Sequence, residues 1–145
     1  MRVFAFASLI IAASLSLSSC AGLSEGRARA RAYEAEAEQA AAHWLGLLDD
    51  GDYEEAFEWE AQDFRMSRTQ AQFVRLMQAR RAPFGKSLGR KFIGAANVRR
   101  LVGVPEGNYE SVLFKTTFEN KAATAERVIL VKQGVGWRVI DYRLF

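Results

Sequence analysis

The sequence predicts an α+β domain in which three N-terminal helices pack on a curved, four-stranded antiparallel sheet. Two observations favour this fold class. Apolar residues recur at helical spacing between about residues 33 and 85, and after Gly85 the chain changes to segments rich in β-branched and aromatic residues. Both regions follow an N-terminal apolar segment that belongs to neither pattern.

Residues 1–19 have the order of a secretory signal peptide. A single charge, Arg2, precedes an uncharged apolar run from Val3 to Leu17, and small residues follow that run. The run is too short for a comfortable transmembrane helix, which needs about 20 apolar residues. We therefore expect this segment to be cleaved and the rest of the chain to be exported.

Cys20, the only cysteine of the chain, directly follows this segment. The motif Leu17-Ser18-Ser19-Cys20 resembles the bacterial lipobox, in which cleavage precedes the cysteine and its thiol carries diacylglycerol. The resemblance implies a palmitate-bearing lipoprotein, which is held firmly in a bilayer because it carries more than one acyl chain. Ala21 replaces the aspartate that resembles an inner-membrane retention signal, so we expect the periplasmic face of the outer membrane.

The mature chain is predicted to contain a lipidated tether, residues 20–32, and a single α+β domain, residues 33–145. The tether carries Arg27, Arg29 and Arg31. We expect these side chains to be solvated or to lie on anionic lipid phosphates.

The first helix is predicted from Tyr33 to the pair Asp49 and Asp50. Tyr33, Trp44 and Leu48 belong to one apolar stripe at three- and four-residue intervals. Gly51 can adopt the left-handed conformation that ends a helix.

Two further helices are predicted before the strands begin. One covers about residues 53–60, with Asp52 and Glu55 at the positions of a capping box. The next begins after Ser67, which forms the same pattern with Gln70.

Four segments after Gly85 have strand composition, and turn residues separate several of them. These segments are GRKFIGAANVRRL, NYESVLFKTTFEN, ERVILVKQ and WRVIDYRLF. The four successive apolar residues Val128–Val131 indicate a third strand that is covered on both faces. The sequence QGVG before Trp137 predicts a hairpin loop.

Charge is segregated along the chain. Residues 33–63 contain eleven acidic side chains and no lysine or arginine, whereas residues 64–105 contain ten basic side chains and no acid. The segregation favours two elements that pack with complementary surfaces, and the alternative is a face offered to an anionic partner. Because export removes cytoplasmic nucleic acid, we expect no nucleic-acid partner.

The domain resembles a family of small exported bacterial proteins that is known only as a domain of unknown function. The resemblance covers about residues 37–144. It is carried by Trp44, Leu48, Asp49, Gly51, Tyr53, Arg80, Gly85, Arg90, Pro105, Gly107, Tyr109, Phe114, Phe118, Lys121, Glu126, Gly136, Trp137, Arg138 and Tyr142.

The order of elements is also similar to the nuclear-transport-factor-2-like cone, in which a bent sheet wraps around helices and often leaves a pocket. That superfamily includes isomerases, dehydratases, dimerisation modules and binding domains. The resemblance therefore implies a fold without selecting a function.

The chain contains few histidine and cysteine side chains that could act in catalysis. The chain has one histidine, His43, and its one cysteine is assigned to lipid. A cysteine–histidine dyad and a histidine-based zinc site are therefore both remote, the latter because metal sites usually need three or four ligands. We expect no metal and no cofactor.

Asp141 is one of two carboxylates that could act as a general base, because burial can raise the pKa of an acid into the working range. It shares strand parity with Trp137 and Val139, which would direct it toward apolar surroundings. The alternative, which the sequence favours, is a salt bridge with Arg127 or Arg143.

Glu126 is the second candidate base. Its alternative role is a pair with Arg138 across the last hairpin. Asp50 or Glu60 could reach the mouth of a pocket.

Four aromatic residues could line a ligand pocket, although aromatic residues on strands more often belong to the core. They are Trp44, Tyr109, Trp137 and Tyr142.

Two functional hypotheses follow. The first is a periplasmic lipoprotein, attached to a membrane through Cys20, whose domain binds a small ligand or an envelope protein without chemistry and serves envelope structure or assembly. The alternative is a cone-fold lyase or isomerase that acts on a small apolar molecule with Asp141 or Glu126 as its base. A homodimer formed through the outer face of the sheet is a third possibility.

Overall fold

The computed structural model describes residues 18–145. The predicted signal peptide lies outside the described residues except for Ser18 and Ser19, and only the backbone of Cys20 is described. The chain divides into one unit that ends at Arg31 and a second unit, Ala32–Phe145. No helix among residues 18–145 is long and apolar enough to cross a membrane.

Helices precede strands along the described chain. The elements are α1 (Ser18–Asp50), α2 (Tyr53–Glu58), α3 (Gln62–Met66), α4 (Gln70–Arg81), β1 (Ser87–Val98), β2 (Tyr109–Phe118), β3 (Lys121–Gln133) and β4 (Gly136–Leu144). The mixed α+β class and the four antiparallel strands are confirmed.

Helix α1 begins at Ser18, well before the predicted start at Tyr33. The segment predicted as a tether is helical, and the side chains of residues 22–31 are exposed. Four alanines and three arginines make up seven of its thirteen residues. Both residue types have high helix propensity, and the segment needs no apolar stripe to be helical. Arg29 also lies 4.0 Å from Glu25, one turn earlier.

The described residues contain four helices rather than the predicted three. The additional helix, α3, has five residues and no buried side chain, so no apolar periodicity could reveal it. Ser67 belongs to its end, where its hydroxyl donates to the Phe64 carbonyl.

The predicted capping boxes of α2 and α4 are both wrong. Asp52 precedes α2 without a side-chain capping bond. A capping box does begin α4, but Thr69 and Gln72 form it instead of Ser67 and Gln70. The same residue pattern occurs two positions later in the sequence, and the later copy is used.

The sheet is open and has the order β1-β2-β3-β4, with every neighbouring pair antiparallel. Strands β3 and β4 are joined by the predicted hairpin, in which Gln133 pairs with Gly136 and Gly134 has a φ of 61°. Trp59 and Ala61 form backbone hydrogen bonds with Val139 on the far side of β4.

A register shift in β4 changes which side chains share a face. Leu130 pairs with Val139, but its neighbour Ile129 pairs with Asp141, so Ile140 is an extra residue at this point. Beyond the shift, Tyr142 continues the inner face and Asp141 lies on the outer face.

The helices pack on the inner face of the sheet and form the main core with it. Its largest fully buried apolar side chains include Trp44, Phe73, Leu45, Leu48, Val112, Val128, Leu130 and Val139. A second, smaller cluster on the outer face contains Ala61, Tyr109, Ile129 and Ile140. Because both faces are covered at Val128–Leu130, the prediction of a doubly covered third strand is confirmed.

Candidate functional site

Glu126 lies in β3 on the inner face of the sheet and is fully buried. One carboxylate oxygen, Oε1, accepts from the Tyr142 hydroxyl at 2.6 Å and from Nη1 of Arg81 at 3.1 Å. The other oxygen, Oε2, accepts from the Thr116 hydroxyl at 2.5 Å and from Nε of Arg90 at 2.8 Å. Four hydrogen bonds therefore satisfy this carboxylate.

The two arginines that hold Glu126 are joined by a second carboxylate, Asp49. Arg81 donates to it through Nη2, and Arg90 does so through Nη1 at 2.9 Å. Two cations and two anions thus form a closed network, which we call the Glu126 cluster. It joins the end of α1, the end of α4, β1 and β3.

The electrostatics of the Glu126 cluster keep its carboxylate charged. Burial by itself would raise the pKa of Glu126, but the charge of Arg90 and the hydrogen bonds to the carboxylate outweigh burial and lower it. Burial and the adjacent carboxylate raise the pKa of Tyr142, so its hydroxyl remains a donor. The geometry is that of a structural ion network.

The predicted pair of Glu126 with Arg138 is wrong. In the register of β3 and β4, Glu126 lies opposite Leu144, whereas Arg138 lies opposite Val131. Arg138 instead donates to the backbone carbonyl of its own neighbour, Trp137.

Asp141 lies within reach of both arginines that the sequence proposed as partners. Nε of Arg143 is 2.9 Å from its Oδ2, and Nη2 of Arg127 is 3.8 Å from the same oxygen. The register shift turns this side chain away from the face of Trp137 and Val139, where simple alternation would place it. Its role as a base stays a prediction, but the geometry is that of an ion pair.

Glu60 differs from Glu126 and Asp141, because its carboxylate is buried and one of its two oxygens has no hydrogen-bond partner. It is 4% exposed, Oε1 lies 3.3 Å from Nη2 of Arg68, and Oε2 has no hydrogen-bond partner. Burial raises its pKa to about 7, although the charges of Arg68, Arg65 and Arg80 oppose that rise. Glu60 and Asp141 both line a small cavity of about 60 Å³.

The four aromatic candidates lie in three different places. Trp44 and Tyr142 pack against each other in the core, with ring centres 5.3 Å apart. Trp137 packs on Tyr33, 4.8 Å away. Tyr109 belongs to the outer cluster, where its hydroxyl donates to the Pro105 carbonyl at 2.7 Å. The structure does not bring the four together.

A groove crosses the outer face of the sheet, between α3 and the loop from residue 99 to 108. It consists of two adjoining depressions of about 570 and 510 Å³. Both are lined by Phe64, Gly103, Val104 and Ile140. We call the two together the outer groove.

One end of the outer groove is cationic, and the other is lined mainly by apolar residues together with Asp63, Ser67 and Gln133. Arg100, Arg127 and Arg143 line the first depression. Tyr109 and Val131 line the second. From the sequence, Arg127 and Arg143 are predicted only as partners of Asp141. The loop from residue 99 to 108 is predicted only as a connection between strands.

Comparison with known families gives one match. Residues 40–142 match the model of a family described as "Protein of unknown function (DUF4019)". The chain belongs to this family. The DUF4019 segment contains every member of the Glu126 cluster, whereas Arg143 lies just beyond it. No curated protein matches the chain.

The described residues offer no grouping of three or more histidine, cysteine, aspartate or glutamate side chains that could hold a metal ion. His43, the one histidine, is exposed and contacts Trp59 in a tilted arrangement with ring centres 4.6 Å apart. The chemistry that this part of the chain can supply is therefore that of carboxylates, arginines and aromatic side chains.

Proposed function

We propose that this protein is exported, anchored through lipid on Cys20 at the periplasmic face of the outer membrane, and binds a ligand or an envelope protein without chemistry. Its domain would be a member of the nuclear-transport-factor-2-like cone folds. The order of helices and strands and the packing of helices on one face of an antiparallel sheet support that assignment.

The proposal of binding without chemistry rests on the hydrogen bonds and ion pairs of the two predicted bases, Glu126 and Asp141. Glu126 accepts four hydrogen bonds and has a lowered pKa, so it has neither a free lone pair in a favourable direction nor a proton affinity suited to proton abstraction. Asp141 is paired with Arg143. Both acids are therefore paired with arginines, Glu126 in the core and Asp141 at the surface.

The anchored part of the proposal is supported by the order of residues around Cys20. A charged start, an apolar run and small residues precede the cysteine, as export and lipid attachment require. An anchored protein with one small domain is suited to a structural or assembly role in the envelope.

The enzymatic alternative has one observation in its favour. Glu60, with a pKa of about 7, lines a small cavity that Asp141 also lines. However, ligand sites usually have volumes of about 300–1,000 Å³. The cavity of about 60 Å³ is too small for the substrate of a lyase or isomerase.

Metabolic labelling tests the anchor. Cells that express the full-length protein are grown with labelled palmitate, and the membrane and soluble fractions are compared. We expect label on the wild-type protein in the membrane fraction and no label on Cys20→Ala. The matched control, Ser18→Ala, keeps a small residue before the cysteine and should retain the label.

An unlabelled wild-type protein would contradict the anchor. So would recovery of the protein among cytosolic contents. Label that persists in Cys20→Ala would show that the lipid is attached elsewhere.

A further inference from the structure

We propose that the outer groove binds a single-chain anionic amphiphile, of which a fatty acid is the simplest example. The carboxylate would lie between Arg127 and Arg143, and the alkyl chain would extend along β3 toward Val131. The inference deepens the proposed function, because it gives the binding domain a site and a class of ligand.

The polarity of the outer groove changes along a single strand. Arg127, Ile129 and Val131 are alternate residues of β3 and therefore share one face. The first and last of them are about 13 Å apart along the strand. Arg143 and Asp141 lie beside Arg127 and Ile129 on β4, so all the arginines and acids that the two strands contribute to the groove lie at one end. At the other end the charged lining residue is Asp63, which precedes the sheet in α3.

The charged end has more cations than anions. Arg127 and Arg143 share one carboxylate, that of Asp141, and Arg127 is the more distant partner at 3.8 Å. Nε of Arg127 is buried and has no hydrogen-bond partner. Arg100, which lines the same depression, pairs only weakly with exposed Glu106 at 3.5 Å. A bound carboxylate would supply a closer acceptor for the Nη2 end of Arg127, whose distance to Asp141 is 3.8 Å.

The other end favours an alkyl chain. Its lining includes Val104, Tyr109, Val131 and Ile140, and the Tyr109 hydroxyl is already bonded to a backbone carbonyl. The polar lining residues Asp63, Ser67 and Gln133 are exposed to solvent. A small inorganic anion would leave this apolar surface uncovered, and a neutral alkane would leave the Arg127 donor unpaired. An amphiphile with one charged head and one chain satisfies both ends, and the volume of each depression lies in the range of small-molecule sites.

Photolabelling of the full-length protein tests this site. The purified full-length protein is incubated with a dodecanoic acid carrying a diazirine near the end of its chain and is then irradiated. The modified residues are mapped by mass spectrometry. We expect modification of the apolar end of the outer groove. Unlabelled dodecanoate should compete, whereas dodecanol, which lacks the charge, and acetate, which lacks the chain, should not.

Charge variants supply the matched comparison. Arg127→Gln with Arg143→Gln should reduce labelling about tenfold or more, because each loses a charge-assisted hydrogen bond. Arg75→Gln with Lys91→Gln removes the same charge from exposed positions outside the groove and should leave labelling unchanged. Thermal melting checks that each variant is folded, and if the groove variant does not fold, the competition pattern on wild type decides.

Three results would overturn the inference. The first is that dodecanol competes as strongly as dodecanoate. The second is that the modified residues lie outside the outer groove. The third is that the groove is not labelled and cross-linking shows a second copy of the chain covering it. Different results would contradict the proposed function. Loss of palmitate from Cys20 would contradict the anchor while leaving groove labelling intact, and chemical conversion of the bound probe would contradict the non-catalytic assignment.

Discussion

Arg81, the last residue of α4, places Nη1 3.1 Å from Oε1 of Glu126, which lies 45 residues further along the chain in the middle of β3. Both side chains are buried, and each is charged. The pair therefore fixes the end of a helix against the inner face of the sheet. Asp49 holds the other side of the Arg81 guanidinium, so the end of α1 is fixed at the same point.

Removing Arg81 from this pair should be strongly destabilising. Arg81→Met leaves Glu126 buried with one cation fewer, and breaking a buried pair in this way typically costs about 3–5 kcal/mol. The control, Arg75→Met, lies exposed on the same helix and should change the free energy of unfolding by less than about 0.5 kcal/mol. Urea denaturation measures both. Equal effects would show that the Glu126 cluster contributes little to stability.

The start of α4 gives a second comparison. Thr69→Ala removes the side chain that accepts from the Gln72 backbone N–H at 3.2 Å, which should cost about 1 kcal/mol. Ser67→Ala, at the position that the sequence favoured, removes only a hydroxyl that donates to Phe64 and should cost less. Thermal melts rank the two. A larger loss at Ser67 would place the functional cap where the sequence first predicted it.

Glu60 should make stability fall as pH rises. The pKa of Glu60 is about 7 in the folded protein and lower in the unfolded chain. Between these two pKa values the folded state binds more protons than the unfolded state, so the free energy of unfolding falls as pH rises. Glu60→Gln removes this penalty. The variant should match wild type near pH 4 and exceed its unfolding free energy by about 3 kcal/mol at pH 8.

Unfolding free energies of the two proteins across pH 4–8 test this point. Glu58→Gln, an exposed neighbour that pairs with Arg65, is the matched control and should show no such divergence. A wild-type curve parallel to that of Glu60→Gln would mean that Glu60 titrates normally.

Much of the fold was predictable because apolar spacing encodes it directly. Val112, Phe114, Thr116 and Phe118 alternate along β2, as one buried face requires, and all four are buried. The segregation of charge along the sequence also corresponds to ion pairs between the acidic and the basic segments. Asp49, from the acidic segment, pairs with Arg81 and Arg90 from the basic one.

The parts that the sequence did not predict depend on tertiary structure. The shift at Ile140 reverses the alternation of β4, and nothing local in the strand distinguishes it from a regular one. The outer groove forms because a loop and α3 lie over the sheet, and periodicity says nothing about where a loop lies. Glu126 did carry a signal: it shares parity with Val128 and Leu130, which places an acid among core positions.

An NMR titration of the glutamate side-chain carboxyl carbons tests the central claim most directly, with Glu126→Gln and Glu60→Gln used to assign the two signals in the full-length protein. We expect the Glu126 signal to remain that of a carboxylate down to a pH below the ordinary glutamate range, while the Glu60 signal titrates near pH 7. A Glu126 signal that titrates near neutral pH would identify a poised base in place of a structural anion, and it would contradict the assignment of this domain to binding without chemistry.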